Sequence, residues 1–354
     1  MKRVVIVGAG VIGLFCAVRL AKAGARVTLI EAEAEHVGVY GPGASAAAAG
    51  MLAPIEHAPS AHERAALASF DLWRAWREGA DWADGVRFDG AVLVAKDAAG
   101  AEAYIANAKR LGRSASSLSP AQVRKRTALK AKTEHAVFIE DDGGADPLRV
   151  LSGLAMQARA HGVVIKYGRD AAHATPNSVT THEGDVFEGD AVVLAPGAWA
   201  SEALAAAAPA LKHVRPAKGH LVSVALIGLL APNLRTPDFY LTQRREDVVL
   251  GSTMEPDRYD RRVNPKRVAE LLAAAAAMFP GEVRGLDRAW AGIRPMSPDG
   301  WPMIGPSGEG IFVAAGHSRN GWLLAPITAE IISAYVFGAE IPPEWAALSP
   351  ERFI

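Results

Sequence analysis

Short apolar runs and segments of helical period alternate at both ends of the chain, and the middle changes to strict alternation broken by turns. Residues 3–7 (Arg-Val-Val-Ile-Val) are β-branched and apolar, which predicts a buried parallel strand. Gly8 to Gly13 is a turn. Residues 11–24 carry helical periodicity and end at Gly24 as a C-cap, and residues 26–30 (Arg-Val-Thr-Leu-Ile) predict a second strand closed by Glu31. Together they make one strand–helix–strand unit. Further helices are predicted over 62–78, 101–111, 147–161, 266–278 and 321–337, and strands over 91–95, 163–167, 191–195 and 311–315. Residues 41–50 are small and without regular pattern. Between 214 and 255 the alternation and turn residues predict an antiparallel sheet.

The turn Gly8-Ala9-Gly10-Val11-Ile12-Gly13 is a G-x-G-x-x-G, and its setting gives it weight. It follows a strand, opens a helix, and has an acid, Glu31 (with Ala32 beside it), closing the next strand. Gly8 permits the tight turn, Gly10 lets a pyrophosphate approach the backbone, and Gly13 lets helix and strand pack closely. The first amides of the helix then face the phosphates, where the helix dipole favours negative charge. Glu31 suits a ribose diol and repels a 2′-phosphate, so NADP is disfavoured while NAD and FAD both stay open. The resulting expectation is an α/β (α+β two-domain) fold. A Rossmann-like dinucleotide domain is made of residues 1–85, 140–210 and 286–354. A substrate domain of residues 86–139 and 211–285 is built on a mainly antiparallel sheet.

Half of the 354 residues are apolar, enough for a large core. Lys and Arg number 38 and so do Asp and Glu, which excludes the basic excess of a nucleic-acid binder. Arg124-Lys125-Arg126 reads as solvated surface. The single cysteine, Cys16, excludes an intrachain disulfide; within its helix pattern it reads as a buried structural thiol. Lys2 and Arg3 before the apolar run Val4 to Val18 look like a signal peptide, but the glycine spacing and the following Arg19 and Lys22 fit strand–turn–helix better. No stretch is long and charge-free enough to span a bilayer, so a cytoplasmic protein without a transmembrane segment is expected. His57 and His62 lack partners at metal-ligand spacing, so no metal site is expected, and the elbow of a serine hydrolase is missing.

Four further segments carry a resemblance. They are Ala44-Ser45-Ala46-Ala47-Ala48-Ala49-Gly50-Met51-Leu52-Ala53-Pro54, the strand and turn Asp190 to Trp199, the stretch Trp290-Ala-Gly-Ile-Arg294-Pro-Met-Ser-Pro-Asp-Gly300, and Gly316-His317-Ser318-Arg319-Asn320-Gly321-Trp322-Leu323-Leu324-Ala325-Pro326. With the fingerprint, they make the chain resemble the D-amino-acid-oxidase superfamily of flavoproteins over nearly its whole length, and within it the glycine oxidase (ThiO-type) branch. The resemblance implies FAD as cofactor. It places Ala44, Ser45, Ala49, Gly50 and Met51 beside the flavin, Ala171 at the adenine, Gly197 and Trp199 at a strand-end turn, and Gly316 to Leu323 in a glycine-framed turn whose helix end stabilises reduced flavin. It implies that Arg294 grips the substrate carboxylate bidentately and that Tyr240 adds a hydroxyl donor. Met51, Met254, Asp238 and Arg319 would line the substrate pocket, with Met254 limiting side-chain size. Asp238 and Ser318 depart from residues common in glycine oxidases.

The implied activity is oxidation of a small amino acid (glycine, sarcosine or a small D-amino acid) by hydride transfer from Cα to flavin N5. The products would be imino or keto acid, ammonia and, with O2 as acceptor, H2O2, and the ThiO-type resemblance implies a use in thiazole synthesis for thiamine. Alternatives are a D-amino-acid or secondary-amine dehydrogenase that passes electrons to a quinone or dye, and a non-catalytic FAD- or NAD-binding regulatory protein. The oligomeric state stays open, a homo-oligomer included.

Overall fold

The protein is described here from a computed structural model covering residues 1–35, 43–60, 62–200, 202–226, 232–244 and 247–354; the side chain at 287 is also outside the described set. Gly41 and Pro42 of the expected small-residue segment therefore lie outside the described residues.

A six-stranded sheet is ordered Met303–Pro306, Ile311–Ala315, Ala191–Leu194, Arg3–Val7, Arg26–Ile30, Val164–Lys166. All neighbours are parallel except the edge strand Met303–Pro306. Parallel strands are covered on both faces, which explains the unbroken apolar run at Val4 to Val7. Val4 and Ile6 pack toward the helices Val11–Lys22 and Gly321–Phe337, in a core that also holds Phe15, Trp73 and Trp82. Val5 and Val7 pack on the opposite face, against Ala171, Val179, Leu204 and Leu211. The first helix presses onto the turn before it: a Cβ at Gly13 would lie 1.8 Å from the Gly8 carbonyl oxygen.

A nine-stranded sheet stands beside this one. Its longest pairing joins Arg215–Leu226 to Val283–Met296, antiparallel, with Gly219 opposite Gly292 and Ala217 opposite Arg294. Val248–Gly251, Tyr240–Gln243 and Asn233–Arg235 follow outward, and Asn233–Arg235 pairs in parallel with Ala91–Val94. One face packs on the helix Pro265–Met278 through Val222, Val224, Leu241, Leu250, Leu271 and Phe279. The other faces the short helix Ala44–Ala47, with Leu221, Val249 and Trp290 touching Ala47 and Ala49.

Most predicted elements appear within a residue or two of their expected bounds. The strand Val283–Met296 is a difference, and the domain boundary expected at 285/286 falls inside it. Its glycines, arginines and proline hide the strand period, and pairing with 215–226 supplies the missing drive. The meander Ala171–Thr175, Ser178–Thr181, Val186–Glu188 and the helix Pro120–Thr127 were likewise unmarked by period. That helix starts through a capping box at Ser119 and Gln122 instead. Among the described residues no helix is long and apolar enough to cross a membrane.

Candidate active site

The two sheets enclose one large cleft of about 1060 Å³, at the upper end of the ~300–1000 Å³ typical of small-molecule sites. Two helices point their N-termini into it. Val11–Lys22 starts at Gly10 and Gly321–Phe337 starts at Asn320; neither has a side-chain cap at its N-cap residue or an acid in its first turn. Such ends hold unsatisfied amides and partial positive charge, which suits an anionic ligand. Gly8 takes φ +97°, and a Cβ there would lie 2.3 Å from the Ala195 carbonyl oxygen, so only glycine fits this turn.

Glu31 stands at the far end of the cleft and accepts the Ala9 amide at 2.6 Å and the Glu33 amide at 3.2 Å. Residues 168–171 run beside it: Arg169 N–H donates to the Glu31 carbonyl (2.8 Å) and Gly168 N–H to that of Glu33 (3.0 Å). Ala171 and Ala32 line the cleft there. The small-residue segment is held open by long-range bonds. Ser45 Oγ accepts the Val11 amide (3.0 Å), and the indoles of Trp322 and Trp290 donate to the carbonyls of Ser45 (3.1 Å) and Ala47 (2.9 Å). Ala44, Ala49, Gly50 and Met51 line the cleft between the two helix ends. Backbone and methyl walls of this kind leave room for a flat ring system.

The turn 316–320 joins both halves. Ser318, at φ +53°, donates its amide to the Pro295 carbonyl (2.8 Å), one residue from Arg294. Its hydroxyl accepts the Ser297 amide (3.1 Å). His317 is buried with Nε2 2.9 Å from Thr328 Oγ1, and burial lowers its pKa to about 3, so the ring is neutral. Gly316, Asn320, Gly321, Trp322 and Leu323 line the cleft, and Arg319 is exposed at its edge.

At the sheet wall Arg294 Nη2 donates to Ser252 Oγ (2.7 Å) and Nη1 to the Thr253 carbonyl (3.2 Å). The guanidinium lies across Gly219, where a Cβ would be 2.1 Å from Nη1. Tyr240 lies in the same way across Gly251, its cross-strand partner, where a Cβ would be 2.5 Å from the hydroxyl. Burial pulls the Arg294 pKa below the ordinary arginine value; Tyr240 opposes this and Arg319 adds to it. Among the described residues Arg294 has no carboxylate partner.

The expected site residues thus gather around one cleft, with three exceptions. Met254 is 41% exposed and absent from the lining; its sulfur sits 4.0 Å from Arg294 Nη1, so it touches the guanidinium without walling the pocket. The turn after Gly251 carries its side chain outward. Gly13 is used for helix packing, and the Ala9 amide is taken by Glu31, so neither lines the cleft. Trp199 lines the rim and is 45% exposed; Gly197 lies beside it and Asp238 is exposed at the sheet end. Ser252, Gly219, Gly292, Tyr104 and Arg235 also line the cleft and carry no local sequence signal.

The model of the family described as DAO, FAD dependent oxidoreductase, matches residues 3–335. The chain is 32% identical to glycine oxidase of Bacillus licheniformis over 364 residues, 98% of this chain and 96% of that one. It is 31% identical to the bifunctional protein ThiO/ThiG of Synechocystis sp. over 373 residues, covering 99% of this chain and only 54%, about half, of that protein. Among solved structures, glycine oxidase from Geobacillus kaustophilus matches with a TM-score of 0.87 at 29% identity over 100% of both chains.

Proposed function

The chain belongs to the DAO family of FAD-dependent oxidoreductases, and from that premise we propose that it oxidises a small amino acid at the carbon beside the carboxylate, with Arg294 as anchor. The observation that carries this reading is a half-buried guanidinium in the cleft wall without an acid of its own among the described residues. A partly desolvated charge of this kind is stabilised when a ligand completes it, and a planar guanidinium matches a carboxylate. Tyr240 stands beside it with a hydroxyl donor. The names of the relatives, glycine oxidase in two of the three, support a small amino acid as substrate.

The cleft fits the family's cofactor. Glu31 would take the adenosine ribose, the amides of Gly10 and Ile12 the pyrophosphate, and Ala44 to Met51 with Gly316 to Leu323 the ring. When bound, FAD supplies the acceptor for two electrons and a hydrogen from the substrate Cα. The chain's own residues do the rest. Arg294 and Tyr240 fix the carboxylate and so orient the Cα–H, which converts binding into reactive geometry. The substrate reacts with its amine neutral, and no side-chain base is needed. The positive end of the helix Gly321–Phe337 favours the negative charge gained on reduction. Water hydrolyses the imino acid to keto acid and ammonia. With oxygen as final acceptor the sum is amino acid, O2 and water giving keto acid, ammonia and H2O2. Supply of the imine to thiazole synthesis is part of the same proposal and rests on the ThiO-type resemblance.

Arg294→Ala tests the anchor. The variant keeps its flavin absorbance and loses about a hundredfold or more in the rate of flavin reduction by glycine or D-alanine, as expected for one half of a buried pair worth about 3–5 kcal/mol. Normal turnover by that variant ends the proposal. Anaerobic reduction followed by oxygen separates oxidase from dehydrogenase, because an oxidase reoxidises quickly.

A further inference from the structure

A second guanidinium lines the cleft, on the strand next to Tyr240. Arg235 is the cross-strand partner of Tyr240, Tyr240 of Gly251, and Gly251 of Leu221, so these positions form one row on one sheet face. Leu93 continues the row on the far side of Arg235. Ser252, which holds Arg294, follows Gly251. Two strand spacings, about 10 Å, therefore separate the backbone of Arg235 from that of Gly251, the neighbour of the Ser252 that accepts from Arg294 Nη2.

Arg235 is 9% exposed and incompletely satisfied. Nη2 reaches the Ile55 carbonyl at 3.3 Å and Asp142 Oδ2 at 3.5 Å. Nε and Asp142 Oδ2 have no hydrogen-bond partner among the described residues. A structural Arg–Asp pair closes with parallel bonds of about 2.7–2.9 Å; this one does not. A buried donor left without a partner costs about 1–3 kcal/mol, which a ligand can recover. Tyr104, also in the cleft wall, is within electrostatic reach of Arg235 and Arg319. The acids nearby are Asp142, which is enclosed, and Glu56 and Asp238, which are exposed to water.

We propose that Arg235, with Tyr104, forms a distal acceptor site for a second carboxylate, so that the cleft takes short dicarboxylic amino acids held between Arg294 and Arg235. This rests on the reading of Arg294 as the first carboxylate anchor. Both guanidiniums line the same cleft along one sheet face, which suits a substrate with two carboxylates, whereas glycine carries only one.

The test uses the FAD-loaded enzyme and non-reacting acids, read by the shift they cause in flavin absorbance. Glutarate or succinate binds about tenfold or more tightly than acetate, and D-glutamate or D-aspartate exceeds D-alanine in kcat/KM. In the double variant Arg235→Met/Asp142→Asn, which leaves no lone buried charge, the ratio of acetate to glutarate dissociation constants falls toward one; Tyr104→Phe lowers it in part. Equal binding of mono- and dicarboxylates by the unaltered enzyme overturns the proposal, as does a preference that survives the double variant. If the double variant does not fold, the ratio in the unaltered enzyme and in Tyr104→Phe decides. If neither acetate nor glutarate perturbs the flavin, the Arg294 anchor falls and this site with it; acetate binding without dicarboxylate preference sinks the distal site alone.

Discussion

The Arg294 guanidinium lies across the bare backbone of Gly219, two strands being paired so that Ala217 faces Arg294 and Gly219 faces Gly292. A methyl at 219 would meet Nη1 at 2.1 Å and Cζ at 2.6 Å, so the guanidinium must move. Displacement by about 1 Å is enough to cost on the order of a hundredfold where geometry controls the reaction. Gly219→Ala is therefore expected to fold and keep its flavin while kcat/KM for glycine drops by about that factor. Steady-state kinetics alongside the flavin-to-protein absorbance ratio checks this. An unchanged kcat/KM would mean that the Arg294 position does not matter.

Glu31 joins the fingerprint turn to the second strand through its 2.6 Å bond from the Ala9 amide. Removing the carboxylate leaves that amide and the proposed ribose without their acceptor. Charge-assisted bonds contribute about 1.5–3 kcal/mol, so Glu31→Ala is expected to raise the FAD dissociation constant about tenfold or more. Fluorescence of released flavin measures it. Retention equal to that of the unaltered protein would show that Glu31 does not hold the cofactor.

Burial pushes the Asp142 pKa from 3.8 up to about 6, against the lowering influence of Arg235 and Asn233. The folded chain thus holds this proton more tightly than the unfolded chain. The stability contributed by that proton is present in full below about pH 4 and is lost as pH rises toward 6. Asp142→Asn removes the titration. The melting temperature of the variant minus that of the unaltered protein is expected to become more positive between pH 4 and 7, in scanning calorimetry. A difference flat across that range would contradict the shift.

Sequence alone was enough for the strand–turn–helix of residues 3–30, the helix at 321–337 and the cleft membership of Gly8 and Glu31, because each depends on spacing within a few turns of chain; Ser45 and Gly316 to Leu323 were placed in the cleft by the family resemblance. The apolar period and the glycine positions act locally, so they are legible without partners. Tertiary structure decided what depends on pairing between distant strands. Met254 reads as a pocket residue beside Thr253, but the course of the chain after Gly251 leaves it exposed. Arg235 and Asp142 show no motif, since 93 positions separate them and only the register of Asn233–Arg235 against Tyr240–Gln243 sets Arg235 in the wall. Gly219 carries no local signal, and its role is set only by the Arg294 guanidinium laid across it. Hydrophobic pattern specifies which elements form and which face they bury; it carries no measure of register between segments far apart, and register is what sets the two guanidiniums along one wall.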